Sequence, residues 1–301
     1  MHTITEIPDE ELAPALPRGG PVSDPPEAMA LTVIERKAGW RFVDLGELWR
    51  YRELLFFLMW RDIKVRYKQT VLGAAWAILQ PLLTMAVLVM LMGRVAAVAG
   101  TTKYPLFLFA GLVPWLFFSA AVAAAANSVL GNQHLITKIH FPRLLIPLGA
   151  VAASVVDFLV AFAMLVLVMM PLYGGRPGWG LIGLPVVLLV LVMLILGLGT
   201  LLAGLVVTYR DFRSIVTLAL QLWMFSTPAI FFQNLSQFGP RTRAAMVLNP
   251  MHGVIVNFRV AVLGGPFDWP AAGIATLWAV VLLAAGCWYF RRVERSFADI
   301  I

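Results

Sequence analysis

Residues 61–83, RDIKVRYKQTVLGAAWAILQPLL, join a basic, aromatic segment directly to an apolar run. Arg61, Lys64, Arg66 and Lys68 crowd its start, and the chain then carries no charge from Gln69 to Gly93. Anionic headgroups attract such a cluster, and the positive-inside bias places it on the cytoplasmic face of a bilayer. The junction therefore fixes both a membrane boundary and its orientation.

The rest of the chain agrees with a membrane protein. Its 301 residues are 60% apolar and only 13% charged, far from the balance of a soluble domain. Crossing the hydrocarbon core takes about 20 predominantly apolar residues. Six windows meet this need, near 71–92, 105–130, 144–171, 181–207, 214–232 and 270–290. With both termini cytoplasmic, 17 of the 23 Lys and Arg residues fall inside, and the outer side keeps Arg94, Lys103, Arg176, Arg241, Arg243 and Arg259. The net charge of +7 is thus mostly membrane-surface charge. No soluble basic face is left over for nucleic acid.

Upstream of the first window, residues 44–68 place Leu45, Leu48, Trp49, Leu55, Phe56, Met59, Trp60, Ile63 and Tyr67 on one helical face. Arg52 and Arg66 intrude on that face. The mixture of Trp with Arg and Lys fits an amphipathic helix lying in the headgroup plane, in preference to a seventh span. Residues 1–35 are rich in Pro and acidic side chains and hold too little apolar surface to offset ordering entropy. The expected layout is a mostly disordered cytoplasmic tail (1–43), an interface helix (44–70), a six-span all-α membrane domain (71–290) and a short cytoplasmic tail (291–301).

Two connections stand out. GNQHLITKIHFPR, residues 131–143, lies on the inner side between Gly131, which can end a helix, and Pro142, which can start one. It predicts a short mixed helix, either a connector or a lever touching a soluble partner. The outer link, roughly 233–270, is long and apolar but broken at Pro240, Asn249-Pro250 and Gly264-Gly265-Pro266. Its pieces are too short to span, so it predicts a re-entrant hairpin or two helices flat on the outer leaflet.

Catalytic and cofactor chemistry is absent from the pattern. The chain has no GxxxxGK[ST] loop, no HExxH and no GxSxG, and Cys287 is its only cysteine. His2, His134, His140 and His252 are scattered. Asp157, deep in the third window, is an intramembrane carboxylate and so a functional hypothesis by default. With no other charge inside the spans, a structural role is preferred over a proton relay, the carboxyl being either neutral or hydrogen-bonded to Asn127 or Gln221 of neighbouring spans. Trp115 and Phe118 in the second window, and Trp223 and Phe225 in the fifth, either face lipid or offer flat apolar surfaces for sugar rings. Pro114 and Pro228 stand beside them, where a bend would line a cavity.

Four stretches then act together: RDIKVRYKQTVLGAAWAILQPL, FAGLVPWLFFS, NSVLGNQHLITKIHFPRLLIP and YRDFRSI followed by FSTPAIF. In this order and spacing, from about Leu45 to Arg295, the chain resembles the permease subunit of polysaccharide ABC exporters, the O-antigen (Wzm-type) group. The resemblance implies a homodimer in the bacterial inner membrane, carried on two copies of a separate ABC ATPase that binds ATP and Mg. No cofactor is expected on this chain. It implies that 45–68 is the interface helix and that 131–141, with His134, Leu135, Ile136, Lys138, Ile139 and His140, is the coupling helix. It implies that 240–263, with Asn249, Pro250, Val254 and Phe258, holds the outer gate. The implied cargo is a lipid-linked glycan. Teichoic acid and capsule exporters share this architecture, and a proton-driven carrier or a membrane-embedded transferase are rivals of other classes.

Overall fold

An apolar run inside a bilayer finds no water for its backbone, so it must close its own hydrogen bonds as a helix. The computed structural model, which describes residues 45–68, 75–98, 103–138, 141–175, 179–227, 230–231 and 239–294, is helical in every regular element among them. It begins with α1 (Leu45–Arg50) and α2 (Arg52–Lys68), where the sequence predicts one interface helix. Then come α3 (Ala75–Val98), α4 (Tyr104–Gly131), the short α5 (Gln133–Lys138) and α6 (Leu145–Met164). A π-helical turn, Leu165–Met169, carries α6 into α7 (Met170–Leu172). A 3-10 turn, Trp179–Gly183, leads into α8 (Leu184–Thr208). The chain continues with α9 (Phe212–Phe225), α10 (Pro240–Val247), α11 (Pro250–Leu263) and α12 (Trp269–Glu294).

Five of these stretches are long and apolar enough to cross a membrane: those built on α3, α4, α6–α7, α8 and α12. They correspond to five of the six predicted windows. The window at 214–232 departs from expectation. Its helix, α9, has 14 residues, about 21 Å at the helical rise and short of a core of about 30 Å. Asp211 stands just before its first turn, and the Ser226 amide closes its last turn on the Leu222 carbonyl. Among the described residues, a sixth crossing is available by length only if α10 and α11 are taken together, and these meet at 83°.

The core gathers around α4. Leu108, Phe109, Leu112, Phe118, Val122 and Ala126 are all fully enclosed by neighbouring helices. The Ala-rich second half of α4 lets α6 and α8 approach closely, the contact geometry favoured where lipid tails are as apolar as leucine. The same logic governs α8 against α12: a Cβ on Gly197 would collide with the backbone of Leu282 and Leu283. A smaller cluster, Val129, Ile136, Leu144, Ile146, Ala203, Val207 and Phe290, ties together the ends of α4, α6, α8 and α12.

Helix α2 packs one side on α6 and leaves part of its predicted apolar face open. Leu58 is its buried residue and packs against Gly149 of α6, while Phe56 and Trp60, assigned to the apolar face, are exposed and stacked on each other at 6.4 Å. Arg66, read as an intrusion on that face, meets a partner on α6.

Candidate functional site

That partner is Asp157. Its carboxylate accepts from the Arg66 guanidinium and from the Tyr67 hydroxyl, two adjacent residues at the end of α2. Arg66 also reaches Ser154 Oγ, one turn earlier on α6, at 3.5 Å. The predicted partners are corrected by this arrangement. Asn127 donates to the Ala123 carbonyl within its own helix, and Gln221 is exposed on α9. Burial and the neighbouring carboxylate push the Tyr67 hydroxyl up to about 12, so it remains a proton donor at any physiological pH. The pairing was hard to see in the sequence because its members lie 91 residues apart. The available signal was the pair of misfits itself: a cation on an apolar face and an acid in an apolar span.

Beside this clamp lies a cavity of about 120 Å³ between α2, α3, α4 and α6. Arg66, Tyr67, Ser154, Asp157 and Gln80 give it a polar wall, and Trp76, Phe117 and Phe158 an apolar one.

Three of the four predicted channel aromatics meet in one cluster. The Trp115 and Phe118 rings lie 5.6 Å apart, and both set their edges or faces against Trp223, at 6.3 and 5.3 Å. Trp115 and Phe118 are buried within the chain, whereas Trp223 is half-buried. Phe225 stands apart, 64% exposed and stacked on Phe231 at 6.2 Å. Pro114 is accommodated inside the continuous α4, and Pro228 lies outside the described residues.

The aromatic cluster is bonded to the bend between α10 and α11. Trp223 Nε1 donates to Asn249 Oδ1 at 3.1 Å, and Asn249 Nδ2 donates to Thr227 Oγ1 at 2.9 Å. The same Oδ1 caps α11 by accepting from the Met251 amide at 3.0 Å, with Pro250 at the first helical position. One asparagine thus sets both the start of α11 and its attachment to α9. Beyond the bend the two arms differ. No residue of α10 is buried, whereas Val254 and Phe258 of α11 are enclosed, Phe258 against Phe158 and Phe162. Arg259, counted in the sequence among outer surface charges, is buried instead. Its guanidinium lies 3.6 Å from the centre of the Phe107 ring and donates to the Ile230 carbonyl at 3.3 Å. It staples α11 to α4.

The short α5 is held from one side. Ile136 is buried in the smaller cluster with Val207 and Phe290, Leu135 is half-buried, and His134 is exposed. Asn132, just before α5, donates to the Ser128 carbonyl at 2.8 Å. After the connection, the Arg143 amide donates to Glu294 Oε1 at 3.2 Å, and the Arg143 guanidinium to the Glu294 carbonyl, tying this segment to the end of α12. Lys138 closes α5, and Ile139 and His140 lie outside the described residues. Among the described residues no group of His, Cys, Asp or Glu could hold a metal ion.

The pattern of the ABC-2 type transporter family matches residues 53–263, from the first turn of α2 to the end of α11. The chain is 33% identical over 257 residues to an O-antigen export system permease protein, RfbA, of Myxococcus xanthus, an alignment covering 85% of this chain and 98% of that protein. An RfbA of Klebsiella pneumoniae is 28% identical over 251 residues, covering 83% of this chain and 95% of its own length. A second Klebsiella pneumoniae RfbA is 26% identical over 250 residues.

Proposed function

The chain belongs to the ABC-2 type transporter family, and from that premise we propose that it is the permease of an exporter for a lipid-linked, O-antigen-like glycan. The observation that carries this reading is the 33% identity to a protein named for O-antigen export, over 98% of that protein's length. We place two copies of the permease in the inner membrane, termini in the cytoplasm, on two copies of a separate ATPase that binds ATP and Mg.

In this reading α5 receives the force. Ile136 anchors it to the ends of α8 and α12 through Val207 and Phe290, so a push on its exposed side, where His134 lies, moves those helices together. The interface helix, α1–α2, is coupled to α6 through Asp157. The bend at Asn249 connects α9 to the α10–α11 gate.

The three faces of α9 support a path between two permeases. Val216 and Leu220 are buried; Ile215, Leu218 and Leu222 form an exposed apolar face; Ser214, Thr217 and Gln221 form an exposed polar stripe that ends at Phe225. Lipid cannot satisfy the Gln221 amide, so this stripe belongs to a water-filled path between two permeases. Phe225 and the free edge of Trp223 then face the glycan. Trp115 and Phe118 back Trp223 from within the protomer. Flat rings and scattered amides give weak, repeated contacts, as conduction requires.

Co-expression with the ATPase in inverted vesicles, with glycan translocation as readout, tests the reading. Lys138→Glu and Leu135→Pro are expected to keep the permease in the membrane and to break the link between ATP hydrolysis and export. Translocation by permease alone, or normal export by both variants, overturns it.

A further inference from the structure

We propose that the cavity between α2, α3, α4 and α6 is a subsite for one sugar ring of the exported glycan, an assignment that rests on the function proposed above. Its size sets the class of occupant. A bound water takes roughly 10–15 Å³ of such space, so about 120 Å³ holds on the order of ten water-sized positions, enough for a single sugar ring.

The lining decides between sugar, lipid tail and phosphate. Arg66 has five N–H donors, and its bonds to Asp157 and Ser154 leave donor capacity over. Gln80 is exposed on α3 and brings a donor and an acceptor to the same wall. The side chains of Arg66 and Asp157 keep 35% and 29% of their surface, so the ion pair is reachable. An acyl chain would leave the unused Arg66 donors and the Gln80 amide without partners. A phosphate would meet the Asp157 carboxylate, which cancels the Arg66 charge and repels an anion. A neutral ring with many hydroxyls, each both donor and acceptor, matches a wall of mixed donors and acceptors with no net charge. Its apolar C–H face matches the half-exposed Trp76 ring on the other side. The polar wall also explains why an ion pair is kept at a place where a leucine pair would pack without desolvation cost.

The lone cysteine makes a direct test available. In a Cys287→Ala background, Gln80→Cys places one thiol in the cavity, and Ala77→Cys a second in case the first does not assemble. Ile78→Cys, exposed on the opposite side of α3 and outside the cavity lining, is the control. The complete permease–ATPase complex in lipid nanodiscs is labelled with a charged aqueous thiol reagent. Undecaprenyl-diphosphate-linked glycan is expected to slow modification of the cavity thiols about fivefold, to leave Ile78→Cys unchanged, and to have no counterpart with undecaprenyl diphosphate alone. Equal protection by the sugar-free carrier assigns the cavity to lipid and overturns the subsite. Modification only by a membrane-dissolved reagent does the same. The parent reading is separated by ATPase stimulation. Stimulation by the glycan without protection sinks the subsite alone, and no stimulation sinks both.

Discussion

Helices α3 and α4 have nearly the same mean hydropathy over their spans, 2.0 and 2.1, yet 11% of the α3 window is buried in the chain against 78% of the α4 window. Hydropathy measures partition into hydrocarbon. It does not say whether the partner is a lipid tail or another helix, because the two are about equally apolar. What separates the helices is shape. Along α4, Phe109, Trp115 and Phe118 alternate with glycine and a run of alanines, giving large knobs and close-approach surfaces on one rod. Along α3, Leu83, Val87, Met90 and Leu91 form a uniform, flexible, exposed surface. A surface like α4 specifies neighbours, whereas one like α3 tolerates them.

The largest expected effect follows from that contrast. Phe118→Ala removes a ring that is 1% exposed and leaves a cavity beside Trp115 and Trp223, so it should cost about 3–5 kcal/mol. Met90→Ala, at a site 85% exposed, should change stability by less than about 0.5 kcal/mol. Chemical unfolding of the purified permease in detergent checks both. A Met90→Ala loss as large as that of Phe118→Ala would mean that α3 meets a protein partner with α4-like packing, and the contrast would collapse.

An intermediate effect is expected at the bend. Asn249→Ala removes the α11 cap and the bonds to Trp223 and Thr227, together worth about 2 kcal/mol. Hydrogen exchange should rise at the start of α11 while α4 stays protected. Uniform exchange across both would show that the hairpin and the α4 core open as one unit.

The Arg66–Asp157 clamp should give less. Both side chains keep about a third of their surface, so solvent screens the pair, and a double-mutant cycle of Arg66→Met with Asp157→Asn should return a coupling of about 1 kcal/mol. A coupling near zero would mean that α2 is held by Leu58 packing alone. Asp157→Asn should retain export because Asn can still accept from Tyr67. Complete loss of export in a well-folded Asn variant would favour proton coupling instead.

Legibility in the sequence followed the range of the interaction. Windows of 20 apolar residues, the helix start at Pro250 after Asn249 and the short helix after Gly131 are all local, and each was readable from spacing. The Arg66–Asp157 pairing was not, because its members lie 91 residues apart. Nor was the length of α9: apolar composition runs on to Phe232, but the helix ends at Phe225, where Thr227 turns to serve Asn249. Burial within a span was equally hidden. Nothing in the local pattern of Phe118 and Phe225 distinguishes a ring in the α4 core from one that is 64% exposed.

Those two rings give the smallest and sharpest test. Phe225→Ala removes only an exposed stacking contact with Phe231, so stability should fall by less than about 0.5 kcal/mol. Its consequence should appear in transport, where the ring ends the polar stripe of Ser214, Thr217 and Gln221 and offers a flat face to each passing sugar. Export by Phe225→Ala should drop severalfold, with membrane insertion and ATPase association intact, and Phe225→Trp should restore it. Phe118→Ala loses export too, but only along with folded protein, so dividing rate by folded amount separates the two. If the corrected rates fall equally, both rings act through the core. If only Phe118→Ala falls, the exposed face of α9 is turned to lipid and the path runs elsewhere.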